Sequence, residues 1–137
     1  MIRHMLVGLV ALAISAGAAN AQTTIKKAPI KPTPATDAKK MFDSYCAVCH
    51  GNDGTGNGPA AKALTKAPAD LTKISARNGG TFPDVRVRRY IEGVDEVAAH
   101  GTRDMPMWGP VFKSTEGTAV ELRIKNLVDY VASLQAK

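Results

Sequence analysis

Cys46-Ala47-Val48-Cys49-His50 sets two thiols three positions apart and places an imidazole directly after the second. These are the only two cysteines in the chain. No disulfide can therefore staple distant segments, and a bridge between these two would close a loop too short to stabilise much. A redox dithiol of the thioredoxin kind needs a strand before the motif and a βαβ pattern around it. Neither is present in the flanking sequence. A zinc site would recruit further nitrogen or sulfur ligands. The only other histidine beyond the N-terminal leader is His100.

What the spacing fits is C-x-x-C-H, the covalent attachment pattern of c-type haem. Two thiols one helical turn apart match the separation of the two vinyl groups on one porphyrin. The adjacent imidazole then reaches iron from the proximal side. Cys46 and Cys49 are thus the expected thioether residues and His50 the expected proximal iron ligand.

The N-terminus agrees with export, which this chemistry requires in bacteria. Arg3 supplies the positive n-region, Met5–Ala18 an apolar stretch, and Ala19-Asn20-Ala21 small residues at the cleavage site,. The apolar run is shorter than the roughly 20 residues that a transmembrane helix needs. Cleavage after Ala21 is expected, which makes 1–21 a signal peptide and the periplasm the destination. Residues 22–35 hold three prolines and three lysines without apolar periodicity and read as a disordered linker. Residues 36–137 form the folded unit, enough for one domain.

The formal charge of +6 rests on 18 basic and 12 acidic residues. Setting aside Arg3, Lys26, Lys27 and Lys31 leaves 14 basic residues against the same 12 acidic ones, a folded unit of only +2. The basic excess lies mostly in the tail, which argues against nucleic acid as a partner.

The chain resembles the class I c-type cytochromes, in particular the small monohaem bacterial members. The resemblance spans 36–137 and rests on Cys46–His50, the glycine-rich run Gly51–Pro59, the Met105-Pro106 pair and the final helix. It implies an all-α cytochrome c fold of three to five helices around one covalent haem, with N- and C-terminal helices crossing. It also implies iron held between His50 and a downstream methionine. Met105 precedes Pro106, whose ring stiffens the loop, and is the first candidate. Met107 is the second, and His100 would give a bis-histidine site. The Gly58-Pro59 match further implies that the Pro59 carbonyl accepts a hydrogen bond from His50 Nδ1. Trp108 reads equally as a haem-propionate donor or as a cover over the pocket. Arg77 and Arg103 are weaker propionate candidates.

Local signals outline the helices. Thr36 or Asp37 caps a helix carrying Met41, Phe42 and Tyr45. Asp70 or Thr72 opens a short turn, with Leu71, Ile74 and Phe82 facing haem. Pro83 and Gly93 bracket a helix with Val87, Ile91 and Val94 on one face. Thr118-Ala119-Val120-Glu121 fits a capping box. Val120, Ile124, Leu127, Val128, Val131 and Leu134 then recur at helical spacing, with Arg123 and Gln135 off the stripe. Tyr130 fits the aromatic position at the helix crossing.

The functional expectation is a periplasmic electron carrier rather than an enzyme. A His/Met pair fills both axial positions and favours a positive potential. The expected partners are redox proteins: a dehydrogenase or quinol-oxidising complex as donor, an oxidase or reductase as acceptor. They would meet a monomer through lysines such as Lys62, Lys66 and Lys113. The alternative is a haem subunit of, or small enzyme in, a periplasmic oxidoreductase system with a displaceable sixth ligand.

Overall fold

The computed structural model describes residues 31–94, 105–116 and 119–136. The expected signal peptide, linker residues 22–30, His100, Arg103 and Thr118 lie outside them.

Asp37 begins the first helix by accepting the Lys40 amide at 2.9 Å, and α1 runs Ala38–Tyr45. The motif follows almost without a break as a single turn, α2, Ala47–His50. Ile74–Arg77 forms the short α3, preceded by a 3₁₀ turn over Leu71–Lys73. The α4 helix spans Asp84–Glu92 and ends on Gly93, whose φ of 80° provides the left-handed stop expected there,. Trp108–Glu116 forms α5 and Val120–Ser133 forms α6. Among the described residues there are six helices, two 3₁₀ turns and no strand, so the chain is all-α.

The helix count exceeds the expected three to five because two helices are single turns and because α5 was not expected. Gly109 and Pro110 disguise it, yet both fall in its first turn, where proline costs no helical hydrogen bond,. Gly109 also lets α5 approach α4: a Cβ there would sit 2.7 Å from the Glu92 carbonyl oxygen.

The core lies where α1, α4, α5 and α6 converge. Met41, Phe42 and Tyr45 of α1 are buried, as are Val87 and Ile91 of α4 and Phe112 of α5. On α6, Val120, Ile124, Leu127, Val128 and Val131 are buried, as the stripe predicts. Phe42 meets Tyr130 with ring centroids 5.1 Å apart, where α1 packs on α6. Tyr45, Trp108 and Phe112 form an aromatic triad with centroids 5.3–5.7 Å apart.

Four sequence expectations need correcting. Val94 is exposed rather than in line with Val87 and Ile91, because the Gly93 stop turns the chain away. Ala119 occupies the α6 cap position, and it makes no side-chain cap bond. Glu121 is instead engaged by Arg88 Nη1 at 2.8 Å.

Arg123, expected on the solvent side, is only 1% exposed. The linker does not remain free up to residue 35 either. Thr33 is 5% exposed. Its hydroxyl donates to Tyr45 Oη at 2.9 Å, and Tyr45 in turn donates to the Lys31 carbonyl at 3.1 Å. The Arg123 guanidinium donates to both the hydroxyl and the carbonyl of Thr33, and lies 5.8 Å from the Phe112 ring centroid. Asn126 Nδ2 holds the Ala35 carbonyl at 2.8 Å. Residues 31–35 therefore form a strap across α1 and α6. Buried polar groups on those helices need partners, and the strap's backbone supplies them.

Candidate haem-binding site

The motif turn presents its groups through ordinary helical hydrogen bonding. The Cys46 carbonyl accepts from the amides of Cys49 and His50 at 3.1 and 2.9 Å, and Gly51 N–H closes the turn on Ala47. Cys46 and Cys49 are both free thiols. Burial first, and then the neighbouring Cys49, push the Cys46 thiol up to about 12, so it stays protonated,. Burial also pushes the His50 imidazole below its ordinary range, against a smaller opposing effect of its hydrogen bond to Ala69. At neutral pH the ring is uncharged, the form that ligates metal.

His50 Nδ1 lies 2.9 Å from the Ala69 carbonyl oxygen. This corrects the expected Pro59 contact. The Gly58–Ala60 segment is used elsewhere: Gly58 N–H donates to Cys49 O at 3.0 Å and Ala60 N–H to Val48 O at 2.9 Å. That folds the segment back over the end of α2, with Pro59 exposed. Gly58 is required for this wrap, since a Cβ would fall 2.5 Å from the Val48 carbonyl oxygen. The chain then returns to the histidine with residues 68–71. Gly56, at φ 90°, lets the Pro68 carbonyl approach to within 2.5 Å of where a Cβ would stand. Leu71 N–H donates to Gly54 O at 2.7 Å. Nothing in the local sequence marks Ala69, because the signal is a carbonyl brought back by two glycine close approaches.

The other expected site residues are placed as follows. Met105 and Met107 are 37% and 43% exposed. Met107 packs on the α4 stop, with its Cβ and Cγ within 2.6 Å of where a Gly93 Cβ would be. Trp108 is buried in the aromatic triad. Arg77 Nη2 donates to the Asp70 carbonyl at 2.7 Å. Leu71, Ile74 and Phe82 are partly buried against the core. Lys62, Lys66 and Lys113 are exposed.

The donor set suits haem c on chemical grounds. Two free thiols sit one turn apart beside a neutral imidazole. With Nδ1 engaged by a carbonyl, that nitrogen carries the proton and Nε2 is left with the lone pair. Among the described residues no group of three or more His, Cys, Asp and Glu side chains could hold a bare metal ion. No helix of the described residues is long and apolar enough to cross a membrane.

The comparison with curated proteins gives no match, and neither does that with solved structures. The family model described as "Cytochrome C oxidase, cbb3-type, subunit III" matches residues 33–131, which begin at the strap and run through most of α6. The all-α architecture agrees with that match, and the chain belongs to this family of c-type cytochrome domains.

Proposed function

We propose that this chain is a periplasmic electron-transfer protein carrying one covalent haem c with His/Met axial ligation, and that it is not itself an enzyme. Membership of a c-type cytochrome family supports haem-based electron transfer. The observation that carries the finer reading is the Ala69 carbonyl at 2.9 Å from His50 Nδ1, beside two free thiols. Bound there, haem supplies a one-electron couple at iron. Cys46 and Cys49 would hold the group through thioether sulfurs, and His50 Nε2 and Met105 Sδ would bind its iron. The Met107 contact at Gly93 favours Met105, because it already commits the Met107 side chain to the α4 terminus. The aromatic triad of Tyr45, Trp108 and Phe112 supports Trp108 as a cover that keeps water from the pocket.

The test is expression of the full chain in a host competent for cytochrome c maturation, followed by ferric and ferrous absorption spectra. Retention of haem through denaturation and a sharp low-spin ferrous α-band are expected, with loss of covalent haem in Cys46→Ala and Cys49→Ala. Met105→Ala should abolish the long-wavelength ferric band of methionine-bound iron, while Met107→Ala keeps it. The reverse pattern would transfer the role to Met107.

The description of the matched family names an oxidase subunit, which favours one second reading: a haem c subunit held permanently by a membrane oxidoreductase. Stable co-purification with a terminal oxidase would select it. A monomer in solution that exchanges electrons with separate donor and acceptor complexes would select the mobile carrier.

A further inference from the structure

Beyond α6, Gln135 and Ala136 reach back to the stretch that follows Asp70. Gln135 Nε2 donates to the Leu71 carbonyl at 2.7 Å and to the Val131 carbonyl at 2.8 Å. Its Oε1 accepts the Ser75 amide at 2.8 Å. The next residue, Ala136, donates its N–H to the Thr72 carbonyl at 2.9 Å. The segment so gripped, 71–75, directly follows the carbonyl that His50 meets. Asp70 between them is fixed from the other side by Arg77 at its carbonyl and by Thr72 at its carboxylate. One side chain thus ties the end of α6 to the stretch whose Ala69 oxygen faces the imidazole.

We propose that Gln135 is a positioning residue for His50, acting through the 69–75 segment to hold the Ala69 carbonyl on Nδ1. The proposal rests on His50 being the proximal haem ligand. A firm Nδ1–H···O=C bond fixes the ring and raises its basicity, and a more basic ligand favours ferric over ferrous iron. Loosening the grip should therefore speed exchange of the Nδ1 proton and raise the reduction potential.

The experiment compares wild type, Gln135→Leu and Gln135→Glu as purified holoproteins, with Asn126→Ala as the control. Asn126 makes its bond to Ala35, in the strap and not in the 69–75 segment, so its loss reports stability alone. Exchange of the His50 Nδ1 proton is read by ¹⁵N-histidine NMR on the ferrous protein, and the potential by redox titration. Gln135→Leu should accelerate exchange about five-fold, the weight of one net hydrogen bond, and raise the potential. Gln135→Glu, which keeps the acceptor for Ser75 but turns a carboxylate oxygen toward the Leu71 and Val131 carbonyls, should do both at least as strongly. Asn126→Ala should do neither, whatever it does to the melting temperature. Exchange and potential in Gln135→Leu that match wild type, or move no more than in the control, would overturn the proposal.

If Gln135→Leu fails to accumulate, native-state exchange of the wild type decides. The His50 Nδ1 proton and the Ser75 amide must then open as one unit in low denaturant, and independent opening rejects the idea. A wild-type chain matured without covalent haem would instead remove the haem reading itself, and this proposal with it.

Discussion

At the scale of single residues, close approach decides more than side-chain chemistry. Gly58 illustrates this. A methyl group there meets backbone oxygens of Val48 and Ala47 at 2.5 and 2.6 Å, which are held by the Ala60 and Gly51 amides. Gly58→Ala should destabilise the fold by about 2 kcal/mol, as overpacking does, and lower the yield of matured protein. Urea unfolding and haem content per chain check both. Cys46, Cys49 and His50 are legible in the sequence because their spacing is their chemistry. The acceptor for His50 is not. Gly-Pro beside the motif suggested Pro59, whereas the carbonyl that arrives belongs to Ala69. A backbone carbonyl carries no residue identity, so only the path of the chain reveals which one is used.

Among the elements, the unexpected one is the strap. Its sequence, rich in proline and lysine, has the composition of a linker, and no apolar periodicity tells otherwise. What fixes it is unmet polar demand on its neighbours: the Tyr45 hydroxyl, the buried Arg123 guanidinium and the Asn126 amide. Arg123 looked like a surface residue because charge normally means solvent. Thr33→Val keeps the shape but removes the hydroxyl shared by Tyr45 and Arg123. It should cost about 1–2 kcal/mol, seen as a lower urea midpoint with an unchanged haem spectrum. A midpoint equal to wild type would mean that the Thr33 hydroxyl adds nothing to stability. The regular helices behaved differently. α4 and α6 were readable because each shows a 3.6-residue apolar period, and the Pro83 and Gly93 bounds of α4 are backbone rules. The start of α5 hid behind Gly109 and Pro110, which are helix breakers everywhere except in a first turn.

Across the whole molecule, the loop from Gly51 to Leu71, the 70–77 segment and the end of α6 form one continuous support behind the histidine. Its acid sensitivity follows from Asp70. The Thr72 hydroxyl above all holds the Asp70 carboxyl below its ordinary value of 3.8; desolvation opposes it, and the Thr72 amide and Lys73 add to the lowering. The unfolded chain thus takes up this proton more readily than the folded one. The stability contributed by Asp70 is present above pH 3.8 and is lost as pH falls through the folded-state value,. Melting temperatures measured across acid pH should show Asp70→Asn losing part of the decline seen in wild type. Exposed Lys62, Lys66 and Lys113 on a folded unit of low net charge predict electron transfer to an acidic partner that slows as salt rises. A rate insensitive to ionic strength with every partner tried would remove the lysine-docking reading. The sequence by itself marked the candidate attachment motif and determined the helical class and the main amphipathic faces, since these depend on spacing within a turn or a few turns. The tertiary structure alone decided the acceptor of His50, the burial of Arg123, the strap, and the grip of Gln135 on residues 71–75. Each of those joins groups far apart in the chain, and only packing brings a specific carbonyl to a specific donor.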